Sequence, residues 1–537
     1  AMAEVHQRRA QVLTGLQRLD DALAAFRRAL ELRPDDADAL GNLGTLLTLM
    51  GRDAEARAAL APAAELAPAA LVHRLKHAVA WLPLVREAGD DVAVGRAAFE
   101  REIAALLAEA EAGLLRELEA VVGAAQPFYI AYQAVNNVAP LSSYGRLCAT
   151  LMAQWQAARP PVQQLPAATS GRVRVGIVSS QVFAHSVWQA IVRGWVEEID
   201  RERFDIVVFH LGQTHDDETA IAQARAQAFV AGPRGLDEWV AAIRDARLDV
   251  LLYPELGMDA LTPRLAALRL APVQATTWGH PETTGLPTLD YYLSAERFEG
   301  DASDAHYSEA LVRLPGLGCC VAPAAVRPSQ QAADVTFESL GVRADATLFV
   351  CGGTPFKYTP EHDAVLVRIA QQVPSAQFLF FRNAVAAPLS ERLMARLAAA
   401  FKAAGLDPAA HLVLAPWLER ARFFGVLTRA HVFLDTLGFS GFNTVMQAVE
   451  CGLAVVTQRG EFMRGRLGSG ILEHLGLDDL VAADDDAYVA LAVRLARDAQ
   501  ARADVRERIA ARRDTLYGDK APIRALEQHL WRWAGRA

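Results

Sequence analysis

The stretch that decides the fold is Leu434-Asp-Thr-Leu-Gly-Phe-Ser-Gly-Phe-Asn-Thr-Val-Met-Gln447. An apolar run ends at Leu434, a loop of small residues follows, and a helix is predicted from about Asn443. Gly438, Ser440 and Gly441 would let the backbone approach a ligand closely, and the free N–H groups at the start of the helix suit a diphosphate. Many strand–loop–helix turns share this pattern, so an ordinary structural turn stays open as an alternative.

Short apolar segments alternate with helical patterns on both sides of this stretch, which predicts parallel, doubly wound α/β units. We expect two Rossmann-like units, residues 171–335 and 336–537, the second ending in a helix over 523–533. Two such units in tandem predict a cleft, with a ligand at the carboxyl ends of the strands. The predicted strands are 173–178, 206–209, 250–253, 273–277, 348–351, 377–381, 412–414, 432–434 and 454–457.

The first hundred residues have a helical pattern and contain a repeat. Pro34 and Pro68 close two similar segments, AFRRALELRPDD and ARAALAPAAELAP, and the spacing fits tetratricopeptide units over residues 1–70. Two units cannot bury a stable face, so a helical continuation or linker domain is expected over 71–157. The Pro-, Ala- and Gln-rich segment 158–170 is the predicted boundary. Generic amphipathic helices are the alternative reading.

The composition limits the possible partners and compartment. The net charge is -9 and the pI about 5.9, which argues against a general binder of nucleic acid or anionic membranes. Five scattered cysteines suggest reduced thiols rather than a disulfide framework, and their spacing resembles no zinc site. No secretory leader is expected from the first residues, and no apolar run reaches the roughly 18–20 residues that span a bilayer. We therefore expect a cytoplasmic protein without a membrane span.

Two further turns follow predicted strands. Cys351-Gly-Gly-Thr-Pro-Phe-Lys357 ends in a lysine in a chain whose 54 basic residues are mostly arginine. A compact cation there could neutralise a leaving diphosphate; a solvated surface lysine is the alternative. His185 would lie at the carboxyl edge of the first strand and could orient hydroxyls or relay a proton. A core or capping histidine would fit the same spacing.

The segment Thr277-Trp-Gly-His-Pro-Glu-Thr-Thr-Gly285 is dense in functional side chains for a turn. Its indole, imidazole, carboxylate and hydroxyl groups could stack on a sugar and hydrogen-bond to it. A rigid structural turn is the alternative.

Taken in order, these segments resemble the protein O-GlcNAc transferases of glycosyltransferase family 41, including the SPINDLY-like bacterial proteins, and more distantly the bacterial protein N-glucosyltransferases. The resemblance runs from the repeats through about residues 171–535. The motifs that carry it are RVGIVSS with His185, LRLAPVQATTWGHPETTGLPTLDYY, HYSEALVRLP, GGTPFK, LDT with SGFNTVMQ and CGLAVVT, and GEFMRGR.

The resemblance implies a GT-B fold and an inverting, metal-independent transfer from a nucleotide sugar to a protein side chain. Lys357 matches the lysine that contacts the diphosphate, and His185 matches the histidine at the sugar end of the cleft. Other expected donor contacts are Thr354, Leu418, Arg420, Gly441, Phe442, Asn443, Thr444 and Gln447. The expected sugar or acceptor contacts are Trp278, Gly279, His280, Glu282, Thr283 and, outside the motifs, Glu255.

Departures from the family pattern leave the donor open. Gln447 replaces the acidic residue that typically holds the ribose hydroxyls, and a glutamine would bind them without charge assistance. Phe442 replaces a histidine. The second family histidine is missing from the region of residues 128–137, where Tyr129, Tyr132 and Gln133 stand in its neighbourhood. UDP-GlcNAc or UDP-glucose is the favoured donor, and GDP-fucose or another activated sugar is the alternative.

The predicted function is hexosyl or N-acetylglucosaminyl transfer to protein, with Ser or Thr oxygen favoured and Asn as the alternative acceptor. The repeats would dock a protein or peptide acceptor; no nucleic-acid partner, cofactor or metal is expected. Asp484 to Asp486 would form a polar loop before a helix rather than a metal motif. The resemblance assigns no general base, and the oligomeric state stays open. The alternative from another class is a non-catalytic binding protein built on a repeat scaffold.

Overall fold

The computed structural model describes residues 2–115, 118–160, 171–323 and 327–536. The boundary predicted at 158–170 lies largely outside them. The chain divides into two compact units. Unit 1 comprises Ala1–Phe99, Tyr132–Ala134 and Ala324–Asp514, and unit 2 comprises Glu100–Ala131, Val135–Pro323 and Thr515–Ala537. The predicted helical domain over 71–157 is therefore shared between the two units and is not a unit of its own.

Helices fill the N-terminal portion, as the sequence predicts. Asp36 accepts a 3.0 Å bond from the Ala39 N–H at the start of the third helix, and Gly44 lets the third and fourth helices approach, because a Cβ there would lie 2.4 Å from Leu60. The helices are α1 (Met2–Gly15), α2 (Leu19–Leu32), α3 (Ala37–Leu49), α4 (Asp53–Leu66), α5 (Leu71–Val79), α6 (Val92–Glu111), α7 (Leu118–Val121) and α8 (Val138–Ala157).

The first sheet lies in unit 2 and is parallel throughout, with strand order β3-β2-β1-β4-β5-β6-β7. Strand order reverses between β1 and β4, which marks the switch point where such folds bind ligands. The strands are β1 (Val173–Ser179), β2 (Phe204–His210), β3 (Ala228–Val230), β4 (Val250–Tyr253), β5 (Val273–Thr277), β6 (Tyr291–Ala295) and β7 (Ala310–Leu314). The helices are α9 (Arg193–Glu198), α10 (Asp217–Arg225), α11 (Leu236–Asp245) and α12 (Thr262–Ala266).

The second sheet lies in unit 1 and is also parallel, with order β10-β9-β8-β11-β12-β13 and a switch point between β8 and β11. Its strands are β8 (Thr347–Val350), β9 (Ala376–Phe381), β10 (Leu412–Ala415), β11 (Val432–Leu434), β12 (Val455–Gln458) and β13 (Val481–Ala482). Its helices are α13 (Asp363–Gln372), α14 (Ala387–Ala403), α15 (Pro408–His411), α16 (Arg420–Arg429), α17 (Asn443–Glu450), α18 (Leu467–His474), α19 (Asp485–Arg497) and α20 (Ala499–Arg512).

The α/β class and the two Rossmann-like sheets are confirmed, and four strands were not predicted: β3, β6, β7 and β13. The strands β3 and β13 have three and two residues, too few for a pattern. Polar or half-exposed residues interrupt β7, and β6 begins at the last two residues of the motif 268–292, whose tyrosines did not suggest a strand.

The last helix, α21 (Ala521–Trp533), belongs to unit 2 rather than to the second Rossmann-like unit, where the sequence placed it. It contacts α9, β1 and β7, and Ile523, Leu526 and Leu530 are fully buried. Glu527 also accepts a 2.8 Å bond from the Asp200 N–H. The helical pattern identified the element, but not the sheet that covers its apolar face.

Candidate functional site

The turn after β11 is organised by one buried carboxylate. Asp435 is 4% exposed and accepts bonds from the hydroxyls of Ser440 (2.6 Å) and Thr457 (2.7 Å) and from the N–H groups of Gly441 (2.9 Å) and Thr436 (3.0 Å). Burial raises the pKa of Asp435, and these hydrogen bonds oppose the shift. The carboxylate thus closes the turn and joins it to β12.

The helix α17 begins at Asn443 as predicted, but neither Asn443 nor Thr444 is its N-cap. Phe442 holds that position, and no side chain caps it. A Cβ on Gly441 would lie 2.2 Å from the Thr444 hydroxyl, so a larger residue at this position would have to displace that side chain. Phe442 is buried, Asn443 is exposed, and Thr444 and Gln447 are partly exposed. The first turn of α17 therefore presents backbone N–H groups without a side-chain cap, the arrangement that suits an anion.

Lys357 follows β8 and reaches the same turn. Its Nζ donates a 3.0 Å hydrogen bond to the carbonyl of Ser440 and lies 4.5 Å from the centre of the Phe439 ring. Burial lowers the pKa of Lys357 to about 8, and Asp435 opposes that shift. The Thr354 hydroxyl in the same loop is buried and has no hydrogen-bond partner among the described residues. The structure thus brings Lys357 to the turn at 440–444, and Thr354 lies in the same loop as this lysine.

The Phe439 ring beside this lysine belongs to a cluster of three aromatic rings within unit 1. Tyr132 lies 4.4 Å from Phe439 and 4.8 Å from Phe356, measured between ring centres. The neighbouring Gln133 accepts a 3.0 Å bond at its carbonyl from Arg464, which is 2% exposed. Segment 132–134, in the region where the family histidine is missing, therefore contributes an aromatic ring that packs against Phe439, the ring that Lys357 contacts.

The predicted nucleotide contacts Leu418 and Arg420 lie beyond the end of β10. Leu418 is 6% exposed, whereas the adjacent Trp417 is 65% exposed. Arg420 begins α16, and its guanidinium lies 5.5 Å from the Phe424 ring. In the sheet, β9 lies between β10 and β8. Leu418 and Arg420 therefore follow a strand that is two positions away from the strand that precedes Lys357. Their contact with a nucleotide stays a prediction.

In unit 2, His185 lies in the loop after β1, as the sequence indicates. The Val187 N–H donates a 3.3 Å bond to its Nδ1, and burial lowers the pKa of the imidazole. With Nδ1 acting as an acceptor, the neutral ring carries its proton on Nε2. In this arrangement His185 is a hydrogen-bond donor rather than a base.

Glu255 follows β4 and is fully buried. Its Oε1 accepts bonds from the Ser179 hydroxyl (2.7 Å) and the Ser180 N–H (3.1 Å), and its Oε2 has no partner among the described residues. Burial raises the pKa of Glu255 to about 8, with a further contribution from Asp259. The acid ties the loop after β1 to the end of β4, at the switch point of the first sheet.

Several side chains of the turn 277–285 are buried and hydrogen-bonded to other residues of unit 2. Trp278 is buried with its ring edge-on to Phe298. Glu282 accepts a 2.6 Å bond from the Asn137 amide, and Thr283 donates a 2.6 Å bond to Glu309. These contacts favour the structural reading of the turn.

Two other residues of the turn are partly exposed, Gly279 and His280. Gly279 packs where a Cβ would lie 2.3 Å from the Pro254 carbonyl. His280 stacks on Phe128 with ring centres 4.0 Å apart. Sugar or acceptor contact by residues of this turn stays a prediction.

Two residues of this site were missed from the sequence. Asp435 stands in the quoted stretch without an assigned role, although an acid directly after a buried strand and among hydroxyl residues was a usable signal. Arg464 lies in the GEFMRGR motif and contacts a segment about 330 residues away in sequence, which no local pattern could indicate.

Other features of the described residues bear on the predictions. No three His, Cys, Asp or Glu side chains among them are grouped so that they could hold a metal ion. Asp484 accepts a bond from the Ala487 N–H and caps α19. All five cysteines are buried and unpaired. Among the residues that the structure describes, no helix is long and apolar enough to cross a bilayer.

A repeat region followed by two parallel Rossmann-like sheets, with a lysine beside a helix N-terminus in the second, gives the chain the architecture of the GT-B class. The fold matches that of a lysine-to-methionine variant of the Thermobaculum terrenum O-GlcNAc transferase, with a TM-score of 0.71 and 22% identity over 99% of this chain and 98% of that one. Residues 327–520 match glycosyl transferase family 41, and residues 13–79 match a tetratricopeptide repeat family. The chain thus carries a family 41 glycosyltransferase domain and tetratricopeptide repeats, which confirms the resemblance.

Two curated proteins are similar to this chain in sequence. The chain is 26% identical over 347 residues to a tomato (Solanum lycopersicum) protein described as a probable UDP-N-acetylglucosamine–peptide N-acetylglucosaminyltransferase SPINDLY, covering 62% of this chain and 35% of the relative. It is 26% identical over 295 residues to the UDP-glucose:protein N-beta-glucosyltransferase of Actinobacillus pleuropneumoniae, covering 53% of this chain and 45% of the relative. The chain thus spans less than half the length of either protein.

Proposed function

We propose that this protein transfers a sugar from a nucleotide-diphosphate donor to a protein side chain, with inversion and without a metal. The observation that carries the proposal is the place of Lys357. Its ammonium is held at the Ser440 carbonyl, beside the uncapped first turn of α17. A cation and several backbone N–H groups lie close together there. Both stabilise negative charge, which is what the nucleoside diphosphate leaving group carries.

The proposed step is a direct displacement. A lone pair on the acceptor oxygen attacks the anomeric carbon, the bond from that carbon to the diphosphate oxygen breaks, and its electrons leave with the diphosphate. Lys357 and the N–H groups of α17 stabilise the negative charge that develops on that oxygen. Because part of this interaction exists only as the charge develops, it would raise the rate as well as the affinity.

The acceptor loses a proton in this step, and neither polar group at the first switch point is suited to take it. His185 carries its proton on Nε2 when neutral, and the raised pKa of Glu255 keeps its carboxyl protonated at neutral pH. We therefore propose that His185 positions a sugar or acceptor oxygen as a hydrogen-bond donor and that the acceptor's proton passes to solvent water, and we assign no general base among the side chains.

The donor and acceptor are proposed from the relatives. The names of both relatives specify UDP donors and a peptide or protein acceptor, which supports UDP-GlcNAc or UDP-glucose as the donor here and a protein as the acceptor. We favour a Ser or Thr oxygen as the acceptor atom and the repeats as its docking surface, because stacked helices offer an extended groove. Five unpaired buried cysteines are consistent with a reducing cytoplasm, and the bacterial relatives with a bacterial source.

A binding panel followed by a turnover assay tests this function. UDP, GDP, CMP and their sugars are screened by thermal shift, where a ligand at 100 times its dissociation constant adds about 2.7 kcal/mol of stability. Donors that bind are then assayed for hydrolysis and for transfer to peptides by mass spectrometry. Stabilisation by a UDP sugar together with turnover supports the proposal. Binding without any turnover would instead identify a non-catalytic binding protein.

A further inference from the structure

The segment that follows Lys357, residues 358–363, is held by a buried arginine of α14. The side chain of Arg396 is 2% exposed. Its Nε and Nη2 donate to the two carboxylate oxygens of Asp363, at 2.8 and 3.0 Å. Nη2 also donates to the Tyr358 carbonyl at 2.7 Å, one residue beyond Lys357. Such a bidentate, charge-assisted pair fixes both distance and orientation.

The same guanidinium reaches the repeat side of unit 1. Its Nη1 donates a 2.6 Å bond to the carbonyl of Arg86, in the segment between α5 and α6. Arg86 in turn donates two hydrogen bonds, at 2.9 and 2.6 Å, to the carboxylate of Glu361. Two arginines from different parts of the chain therefore hold residues 358–363, and they also contact each other.

Two further contacts join the N-terminal helical region to α14. Arg392, one helical turn before Arg396, donates a 2.5 Å bond to Glu87. Gly51, between α3 and α4, packs so closely that a Cβ would lie 2.8 Å from both Arg392 and Leu389. The α3–α4 turn and segment 86–87 thus form one contact surface with α14, which we call the repeat latch.

We propose that Arg396 is a positioning residue for Lys357, and that the repeat latch makes the placement of this lysine depend on the helical repeats. The loop that carries Lys357 is closed on its other side by the Gly353 N–H, which donates a 3.1 Å bond to the Tyr358 hydroxyl. Tyr358 is therefore held at both its hydroxyl and its carbonyl, and the carbonyl bond depends on Arg396.

The physical reason is the cost of an incompletely paired buried charge. If the repeats shift, Arg396 loses the Arg86 carbonyl and residues 358–363 lose the bridge from Arg86 to Glu361. A buried guanidinium with an unsatisfied donor must then find a new arrangement, and the Tyr358 carbonyl moves with it. The functional consequence of this proposal rests on the proposed function. Binding of an acceptor to the repeats would change the affinity for the donor, and binding of the donor would change the affinity for the acceptor by the same factor.

The first test is independent of activity. Hydrogen–deuterium exchange of residues 353–363 is compared in the full chain and in the variants Arg396→Lys and Arg86→Met, without ligand. Lysine retains the charge but cannot form the bidentate pair. We expect at least fivefold faster exchange in both variants. The matched control is Arg368→Met on α13, whose partner Asp486 is exposed, and it should not change the exchange. Unchanged protection in the folded Arg396→Lys and Arg86→Met proteins overturns the latch.

The second test addresses the lysine. With the donor that the wild type uses, Arg396→Lys should weaken UDP binding and lower kcat about tenfold, while Arg368→Met leaves both unchanged. Values within twofold of wild type in folded Arg396→Lys contradict the positioning role. If the wild type itself neither binds nor turns over any donor, the proposed function fails, and the exchange experiment alone then decides the latch.

Discussion

The Nζ of Lys357 donates a 3.0 Å hydrogen bond to the carbonyl of Ser440. This bond joins the loop after β8 to the turn after β11, and the strand order of the second sheet reverses between these two strands. A cation therefore stands at the switch point, where doubly wound folds bind their ligands. The hydroxyl of the same Ser440 donates to Asp435. Lys357 therefore binds the backbone of Ser440 and Asp435 binds its side chain, and both contacts stabilise the same turn.

Replacing Lys357 with alanine should abolish transfer without unfolding the protein. Loss of one preorganised charged donor costs about 10²–10³ in kcat, whereas a single hydrogen bond contributes about 1 kcal/mol to stability. Initial rates and thermal melts of Lys357→Ala measure the two effects, with Lys402→Ala on the exposed end of α14 as the control. Near-normal turnover by Lys357→Ala would remove this residue from the mechanism.

Donor affinity should fall as the pH rises above about 8. The pKa of Lys357 is lowered to about 8, so the ammonium is present below that pH and is lost above it in the free protein. A bound diphosphate favours the charged form and raises this pKa, so binding takes up a proton in this range. Calorimetry at pH 7 to 9.5 in buffers of different ionisation enthalpy measures the affinity and the proton uptake. An affinity that is constant over this range contradicts the prediction.

The substitution Asp435→Asn should loosen the turn and shift that pH limit downward. An amide cannot accept all four hydrogen bonds that the carboxylate accepts, and we expect a loss of about 1–3 kcal/mol. Removing the negative charge also removes the group that opposes the lowering of the Lys357 pKa. Chemical denaturation and the pH dependence of UDP binding test both effects. The control is Asp486→Asn, because that carboxylate is 85% exposed.

Stability should depend on pH through Glu255. Its pKa in the folded protein is about 8, above the ordinary value of 4.5, so folding favours the protonated form. The unfolding free energy that this group contributes is greatest at low pH and is lost progressively as the pH rises from about 4.5 to about 8. The total effect is on the order of 5 kcal/mol. In Glu255→Gln this component should disappear, and equal pH profiles of the melting temperature in wild type and variant would refute it.

Gly145 should not tolerate even a methyl group. It lies in α8, where a Cβ would be 2.1 Å from the Gly285 carbonyl. Gly145→Ala must therefore push α8 away from the turn 277–285, and a loss of about 1–3 kcal/mol is expected from overpacking. Gly89→Ala is the control because open space surrounds that position. Denaturant midpoints that agree for the two variants would show that α8 can shift at no cost.

The helices and central strands could be predicted because their signal is local. The strands at 250–253, 273–277 and 432–434 have the predicted limits, since 250–253 and 432–434 are continuous apolar runs and each of the three strands ends at a turn. The start of α17 at Asn443 followed from the change in hydrophobic period after the glycines. The ordered motifs also identified the family, because Lys357 and the 440–447 segment have residue types and spacing that the chain itself displays.

The environment of each side chain could not be predicted in the same way. Glu282 and Thr283 were expected to face a sugar, but Asn137 and Glu309 engage them. The missing histidine was noticed, but not that Tyr132 packs against Phe439. These partners are separated in sequence by between 26 and about 300 residues, and hydrophobic periodicity contains no information about which distant segments meet.

The sequence by itself determined the main helices, the central strands, the doubly wound class of the two sheets and the lysine-bearing turn, because local periodicity and short motifs specify backbone conformation. Only the tertiary structure decided that α21 covers the first sheet, that Asp435 closes the turn beside Lys357, and that Arg396 links this loop to the repeats. Each of these depends on burial and on hydrogen bonds between remote segments. Such contacts form because a buried polar group must find a partner, and the folded chain determines which partner is within reach.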